Sequence, residues 1–169
     1  PCSSYVIEYL RQYFQITILF YNPNITMAEE YEQRLLEQGR LIGIFNRQDE
    51  GLGAVNFMEG SYEPEVFFHA IKGLEKMKEG GERCHKCFEL RLDYTAKKAK
   101  ELCFDYFTTT LTISPMKNAD LLNEIGNKMA KEYGVSFLPS DFKKKNGYKR
   151  SVELSSMNEL YRQDYCGCV

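Results

Sequence analysis

The stretch Ile16-Thr17-Ile18-Leu19-Phe20-Tyr21, followed by Asn22-Pro23-Asn24, decides the fold class. Its unbroken apolar character predicts a strand buried on both faces, the habit of parallel sheets covered by helices. Asn-Pro-Asn ends it, since proline cannot donate to a ladder and asparagine favours turns. A helical pattern from about Met27 to Leu41 follows, carrying Glu30, Tyr31 and Arg34. Strand, loop and helix in that order is the unit of an α/β fold, and the loop after such a strand is where these folds place their sites.

Upstream, Ser3 and Ser4 are expected to cap a helix running to about Tyr13, with Val6, Leu10 and Tyr13 at helical spacing. Downstream, residues 46–62 read as a long connection with one short strand, and helical pattern resumes from Glu63 to about Lys78 before Gly80-Gly81 breaks it. Asp105 to Thr110 predicts a second strand, and Val135 to Leu138 a third. Between them a helix is expected from about Asn118 to Tyr133, with Gly134 as its stop. The basic stretch Lys143 to Arg150 introduces a last helical segment. The alternation predicts an α/β protein with a mostly parallel sheet flanked by helices, in a single domain over residues 1–169. The chain opens on Pro1 and a helix where the alternation expects a strand, so a first strand is expected to be missing from the sequence as given.

The 169 residues, 43% hydrophobic and 14% aromatic, suffice for one core. A formal charge of -2 excludes an overall basic field of the histone kind, so any RNA contact must come from a local patch. Lys143, Lys144, Lys145, Lys149 and Arg150, interleaved with Phe142 and Tyr148, supply one, in which lysines would hold phosphates and rings would stack on unpaired bases. A solvated face is the plainer reading of the same run. No window reaches the apolar length of a membrane span and no tripartite leader opens the chain, so a cytoplasmic protein is expected.

Six cysteines carry the chemistry. Cys84-His85-Lys86-Cys87 and Cys166-Gly167-Cys168 are closely spaced pairs, and Cys2 stands near the start. In a reducing compartment such pairs favour metal or redox chemistry over structural disulfides. A lone C-x-x-C is equally a dithiol redox pair, a zinc half-site or an iron–sulfur half-site; the added C-x-C points to four or five thiolates on a metal centre, and spacing does not choose the metal. Cys84, Cys87, Phe88, Arg91 and Thr95 share one helix face, while Leu92, Ala96, Ala99 and Cys103 form an apolar stripe that makes Cys103 a core residue. His85, between two candidate ligands, reads as a surface residue, and His69 as a packed or half-exposed one.

Phe20-Tyr21-Asn22-Pro23-Asn24-Ile25, Glu30-Tyr31 with Arg34, and Glu82-Arg83-Cys84-x-x-Cys87-Phe88 with Arg91 form an ordered series. It continues through Thr109-Thr110-Leu111, Ser114-Pro115-x-Lys117-Asn118, Gly147-Tyr148, Tyr161-Arg162-Gln163 and Tyr165-Cys166-Gly167-Cys168. Over nearly the whole chain this series resembles the QueH family of epoxyqueuosine reductases. The resemblance implies reduction of epoxyqueuosine to queuosine at the wobble nucleotide of tRNA. It also implies a Rossmann-like fold related to the adenine nucleotide alpha-hydrolases, a 4Fe-4S cluster and a second metal ion, iron being the expected one. Cys84, Cys87, Cys166 and Cys168 carry over as metal ligands, with Cys2 expected at the second metal. Members of the family have a Cys-Cys-Ala-Pro-Cys or Cys-Cys-Ala-Pro-Asp segment after a first strand, of which this sequence holds only Pro1 and Cys2. The chain as written is therefore expected to be less stable, to hold little or no cluster and to lack reductase activity, and a form restoring a strand and Cys-Cys-Ala ahead of Pro1 to recover all three.

The implied reaction takes two electrons and two protons and expels oxygen as water, so the expected division of labour is single electrons from the cluster and oxygen activation by the second metal. Tyr165 and Lys117 are candidate proton donors or substrate holders. Arg34, Arg91 and Arg162 suit positioning or RNA contact, a fixed guanidinium charge being a poor proton donor, with ion pairs inside the fold as the alternative. The physiological electron donor is left open. Two further readings compete: a zinc-stabilised RNA-binding module, and a dithiol redox protein that would not need Cys166 and Cys168.

Overall fold

The computed structural model describes residues 2–48 and 51–168; Pro1, of the Pro1-Cys2 pair, lies outside them. Helix α1 (Ser3–Leu10) leads into β1 (Thr17–Phe20), α2 (Ala28–Arg47) and β2 (Asn56–Glu59). Then come α3 (Pro64–Ala70), α4 (Glu82–Glu101), β3 (Tyr106–Phe107), a 3-10 turn at Leu111–Ile113, α5 (Ala119–Tyr133), β4 (Ser136–Phe137) and α6 (Gly147–Met157). Every strand pairing is parallel, so the α/β expectation holds. Thr17 to Phe20 run in register with Asn56 to Glu59, and Tyr106 and Phe107 with Ser136 and Phe137.

Among the described residues the strands form two separate pairs, β1 with β2 and β3 with β4. A cleft of about 760 Å³ lies between them, walled by residues 14–22 on one side and 104–111 on the other. Each pair is covered by its own helices. Leu92, Ala96 and Ala99 of α4 meet Leu122, Ile125 and Met129 of α5 over Phe107 and Phe137. Leu41, Ile42 and Phe45 of α2 meet Ile7 and Val55, with Ile18 packed alongside. Ile113 and Phe142 join Val6 and Leu10 of α1 in a third cluster, so α1 bridges the two halves.

Caps set the bounds of α5. The Asn118 side chain accepts from the Leu121 N–H at 3.1 Å, and Gly134 ends α5 at φ 65°, a left-handed value that costs glycine nothing. Helix α2 extends past Leu41 because Ile42 and Phe45 continue its buried stripe.

Three expectations need correction. Ser3 and Ser4 do not cap α1: they lie inside it, fully enclosed, where Ser3 Oγ donates to Gln38 Oε1 at 2.6 Å and Ser4 Oγ to the Ser151 carbonyl at 3.4 Å. The helix from Glu63 stops at Ala70, since only Phe67 and Ile71 find a core and Gly73, at φ 83°, turns the chain. Cys103 is not a core residue. Helix α4 ends at Glu101, and Cys103 sits beyond it at φ 58°, exposed to solvent, so the helical stripe does not reach it.

Candidate active site: four thiols and a basic rim

The first turn of α4 places Cys84 and Cys87 on its buried side, and residues 160–168 bring Cys166 and Cys168 back to them. All four line one small cavity with Phe67, Phe88, Arg91 and Lys117. Its volume is about 10 Å³, and within it the Cys166 and Cys168 thiols are hydrogen-bonded to each other. All six cysteines are free. Cys2 stands apart from this cavity in the wall of the large cleft, where Gln163 Nε2 approaches its sulfur at 3.8 Å. Cys166 lines both spaces and so connects thiol cavity and cleft.

The tail is held by a latch from α2. Arg34, 9% exposed, donates from Nη1 to the Cys166 carbonyl at 3.0 Å and from Nη2 to the Tyr165 carbonyl at 3.1 Å. Its Nε pairs with Glu30 at 2.6 Å, and Glu30 also accepts from the Tyr161 hydroxyl at 2.9 Å. The guanidinium lies 5.2 Å from the centre of the Tyr165 ring. The Thr26 N–H adds a bond to the Gly167 carbonyl at 3.0 Å. Gly167 takes φ 96°, a value that strains any side chain, and this reversal turns both flanking cysteines to one side. Arg34 thus belongs to the alternative of an internal ion pair, with a positioning role added.

The thiols differ in character. Cys87 is pushed up to about 11, chiefly by burial. Cys166 is pulled down to about 5, first by a hydrogen bond from the Cys168 thiol and then by the charges of Lys117 and Arg91, against the cost of burial. Cys168 is pushed up because it holds the proton of that bond. Around the sulfurs stand donors: Lys117 Nζ and Asn24 Nδ2 each at 3.9 Å from Cys166, and the Gly80 N–H at 3.2 Å from Cys84. Lys117 is 11% exposed, pairs with Glu79 at 3.5 Å and lies 5.7 Å from the Phe88 ring centre. Arg91 Nη2 donates to Asn22 Oδ1 at 2.7 Å, tying α4 to the loop after β1.

Lys117 is therefore brought to the thiols, whereas Tyr165 is held through its backbone and half exposes its ring on the cleft side. His85 and His69 are exposed and away from the cavity. Arg162 does not join the thiols: Nη1 donates to Ser151 O and Ser155 Oγ at 3.1 Å each. Within the basic run, Lys143 and Lys144 share Asp141 and Arg150 pairs with Glu8 and Glu153, so Lys145 and Lys149 are without acidic partners among the described residues. Asn24 and the Gly80 amide escaped the sequence reading. Asn24 stood in a recognised turn, but its 2% exposure and its aim at Cys166 depend on where the tail lands.

The donor set suits a thiolate-held metal group: soft sulfur ligands, one already biased to the thiolate, inside a rim of Lys117, Arg91 and Arg83. Among the described residues, no three histidine, cysteine or acidic side chains stand at ligating distance as placed. The four cysteines line one cavity, and the Cys166–Cys168 hydrogen bond is the contact that ligation would replace.

A family model described as epoxyqueuosine reductase QueH matches residues 1–169. Curated relatives bearing that name include one from Streptococcus pyogenes serotype M1, 47% identical over the whole of this chain and 66% of its own length. Another, from Staphylococcus aureus strain Mu50, is 48% identical over the whole chain and 70% of its length. A third, from Thermotoga maritima, is 35% identical over 89% of this chain and 76% of its own. The chain thus spans about two thirds of the length of the Streptococcus relative.

Proposed function

The chain belongs to the epoxyqueuosine reductase QueH family, and from that premise we propose that it is an oxidoreductase reducing epoxyqueuosine to queuosine at the wobble nucleotide of tRNA. One observation carries the reading to this chain's own residues: thiols from two distant segments meet in one cavity, under a lysine, at the inner end of a cleft. Converting the epoxide to the alkene consumes two electrons and two protons and releases one water. A tRNA substrate agrees with a cytoplasmic protein; among the described residues no helix is long and apolar enough to cross a membrane.

Cys84, Cys87, Cys166 and Cys168 would hold an iron–sulfur group, with Cys2 and one of these sulfurs toward a second metal ion. That group, when bound, supplies single electrons and a Lewis acid. The chain's residues do the rest. Lys117 keeps an ammonium beside Cys166, where it stabilises thiolate and carries a proton within reach of the cleft. The Tyr165 hydroxyl is the second proton-bearing group on that side. Asn24, nine-tenths buried with its Oδ1 unpartnered, holds an acceptor inside the cleft wall. Arg34 fixes the loop on which these groups depend.

The cleft between the strand pairs supports a further element of the reading, an extended segment seated there as an added parallel strand that joins both pairs into one Rossmann-like sheet. Among the described residues β1 and β3 each have one strand neighbour, and residues 14–22 and 104–111 line the gap.

The test is anaerobic reconstitution with iron and sulfide of this chain, and of a form extended by a strand and Cys-Cys-Ala ahead of Pro1, followed by incubation with epoxyqueuosine-bearing tRNA and a low-potential reductant. Nucleosides lighter by one oxygen are the expected product of the extended form. Zinc without labile sulfide, and unchanged nucleosides in both forms, would favour the RNA-binding module instead.

A further inference from the structure

Helix α1 and the turn after it carry a row of tyrosines that the chemistry at the thiols does not use. Tyr5 and Tyr9 are stacked with ring centres 6.0 Å apart and planes 25° apart, and Tyr9 meets Tyr13 edge to face at 5.7 Å. Tyr9 is 43% and Tyr13 66% exposed. The row covers eight residues of helix-like rise, about 12 Å, the length of about three to four stacked nucleotides. Tyr5 is half-buried against the Val6, Leu10 and Phe142 cluster, but folding alone does not call for Tyr9 and Tyr13, since α1 already buries Val6, Ile7 and Leu10 on its other face.

The row lies beside positive charge. Tyr5 packs over Gly147 at the start of α6, where an added Cβ would stand 2.5 Å from its ring, and Glu8 on the same helix is bidentate to Arg150 at 2.6 and 3.0 Å. Lys145 and Lys149, in and just after the loop before α6, are exposed and have no acidic partner among the described residues. The row also leads to the site. α1 begins just after Cys2, which meets Gln163, three residues before Cys166, and Tyr148 lines the cleft together with Cys166.

We propose that Tyr9 and Tyr13, backed by Tyr5, form with Lys145 and Lys149 a stacking platform for the single-stranded loop nucleotides that flank the base entering the cleft. The proposal rests on the tRNA reading above and names the surface it needs. Exposed rings offer π faces to splayed loop bases, while the unpaired ammonium groups take phosphates; neither feature serves an apolar protein partner as well.

The test titrates the chain, without metal, with a fluorescent 17-nucleotide anticodon stem-loop, a fully paired duplex of the same composition being the control. Tyr9→Leu with Tyr13→Leu is expected to weaken hairpin binding about tenfold per ring, with Tyr9→Phe and Tyr13→Phe restoring most of it. Lys145→Gln with Lys149→Gln should lower the slope of log affinity against log salt by about 1.4. Circular dichroism and melting of each variant check the fold, which exposed rings should leave intact. Wild-type binding in the Leu pair would overturn the platform and leave the tRNA reading standing. A hairpin that the wild-type chain binds no better than duplex would overturn the tRNA reading itself. A Leu pair that lost self-association rather than RNA affinity would reassign the face to a second copy of the chain.

Discussion

Replacing Arg34 by methionine removes the latch while keeping most of the side chain's bulk. Two bonds from a charged guanidinium to the carbonyls of Tyr165 and Cys166 are lost. Bonds to charged groups contribute about 1.5–3 kcal/mol each, so their joint loss is at least about 3 kcal/mol. Glu30, 12% exposed, also loses its cation at 2.6 Å, though the Tyr161 hydroxyl still donates to it. That cost falls on the tail first, because Arg34 ties α2 to the chain from 165 onward. Cys87 reports on it: it is 6% exposed and Cys168 packs against its cluster. If labelling tracks the open population, about 3 kcal/mol raises the maleimide labelling rate of Cys87 in metal-free protein by about 100-fold, a tenfold change being about 1.4 kcal/mol. Peptide mass mapping over time measures this, with exposed Cys103 as the internal standard. Arg34→Lys should fall between, keeping a charge near Glu30 but losing the fork. Cys87 labelling at the wild-type rate in Arg34→Met would show that the tail is held by something else.

Two further outcomes follow from the same geometry. In metal-free, reduced protein Cys166 should be alkylated first: its thiolate is half formed near pH 5, so at pH 6 to 7 it is charged while an ordinary thiol, near 9, is mostly protonated; its rate should fall as pH drops through 5. Equal rates at Cys166 and Cys103 at pH 6 would refute the assignment. Cys103→Ser should leave the melting temperature within a degree or so, since an exposed position away from packing changes stability by less than about 0.5 kcal/mol; a clear destabilisation would return Cys103 to the core.

The parts of the fold that were legible are those fixed by local chemistry. Helix α5 was bounded by Asn118 and Gly134, and β1 by its apolar run and Asn22-Pro23-Asn24. Errors arose where distant packing decides. Nothing near Ser3 and Ser4 shows that Gln38 and Ser151 will enclose them, and so they read as caps. Nothing in the stripe of Leu92, Ala96 and Ala99 shows that α4 ends at Glu101 before Cys103. At the site, the cysteine spacings marked the donors, but their meeting depends on Arg34, which lies 132 residues from the carbonyl it holds. Arg34, Asn24 and the Gly80 amide could be seen as sequence and not as machinery.

The most direct test of the central claim is turnover of epoxyqueuosine in tRNA by single serine variants, in anaerobically reconstituted protein carrying the Cys-Cys-Ala extension. Cys84→Ser, Cys87→Ser, Cys166→Ser and Cys168→Ser are each expected to abolish formation of queuosine, since each removes a sulfur from the shared cavity, while Cys103→Ser converts tRNA as the parent does. Parent-level conversion by Cys84→Ser and Cys166→Ser, one from each segment, would contradict a site built by bringing the two together.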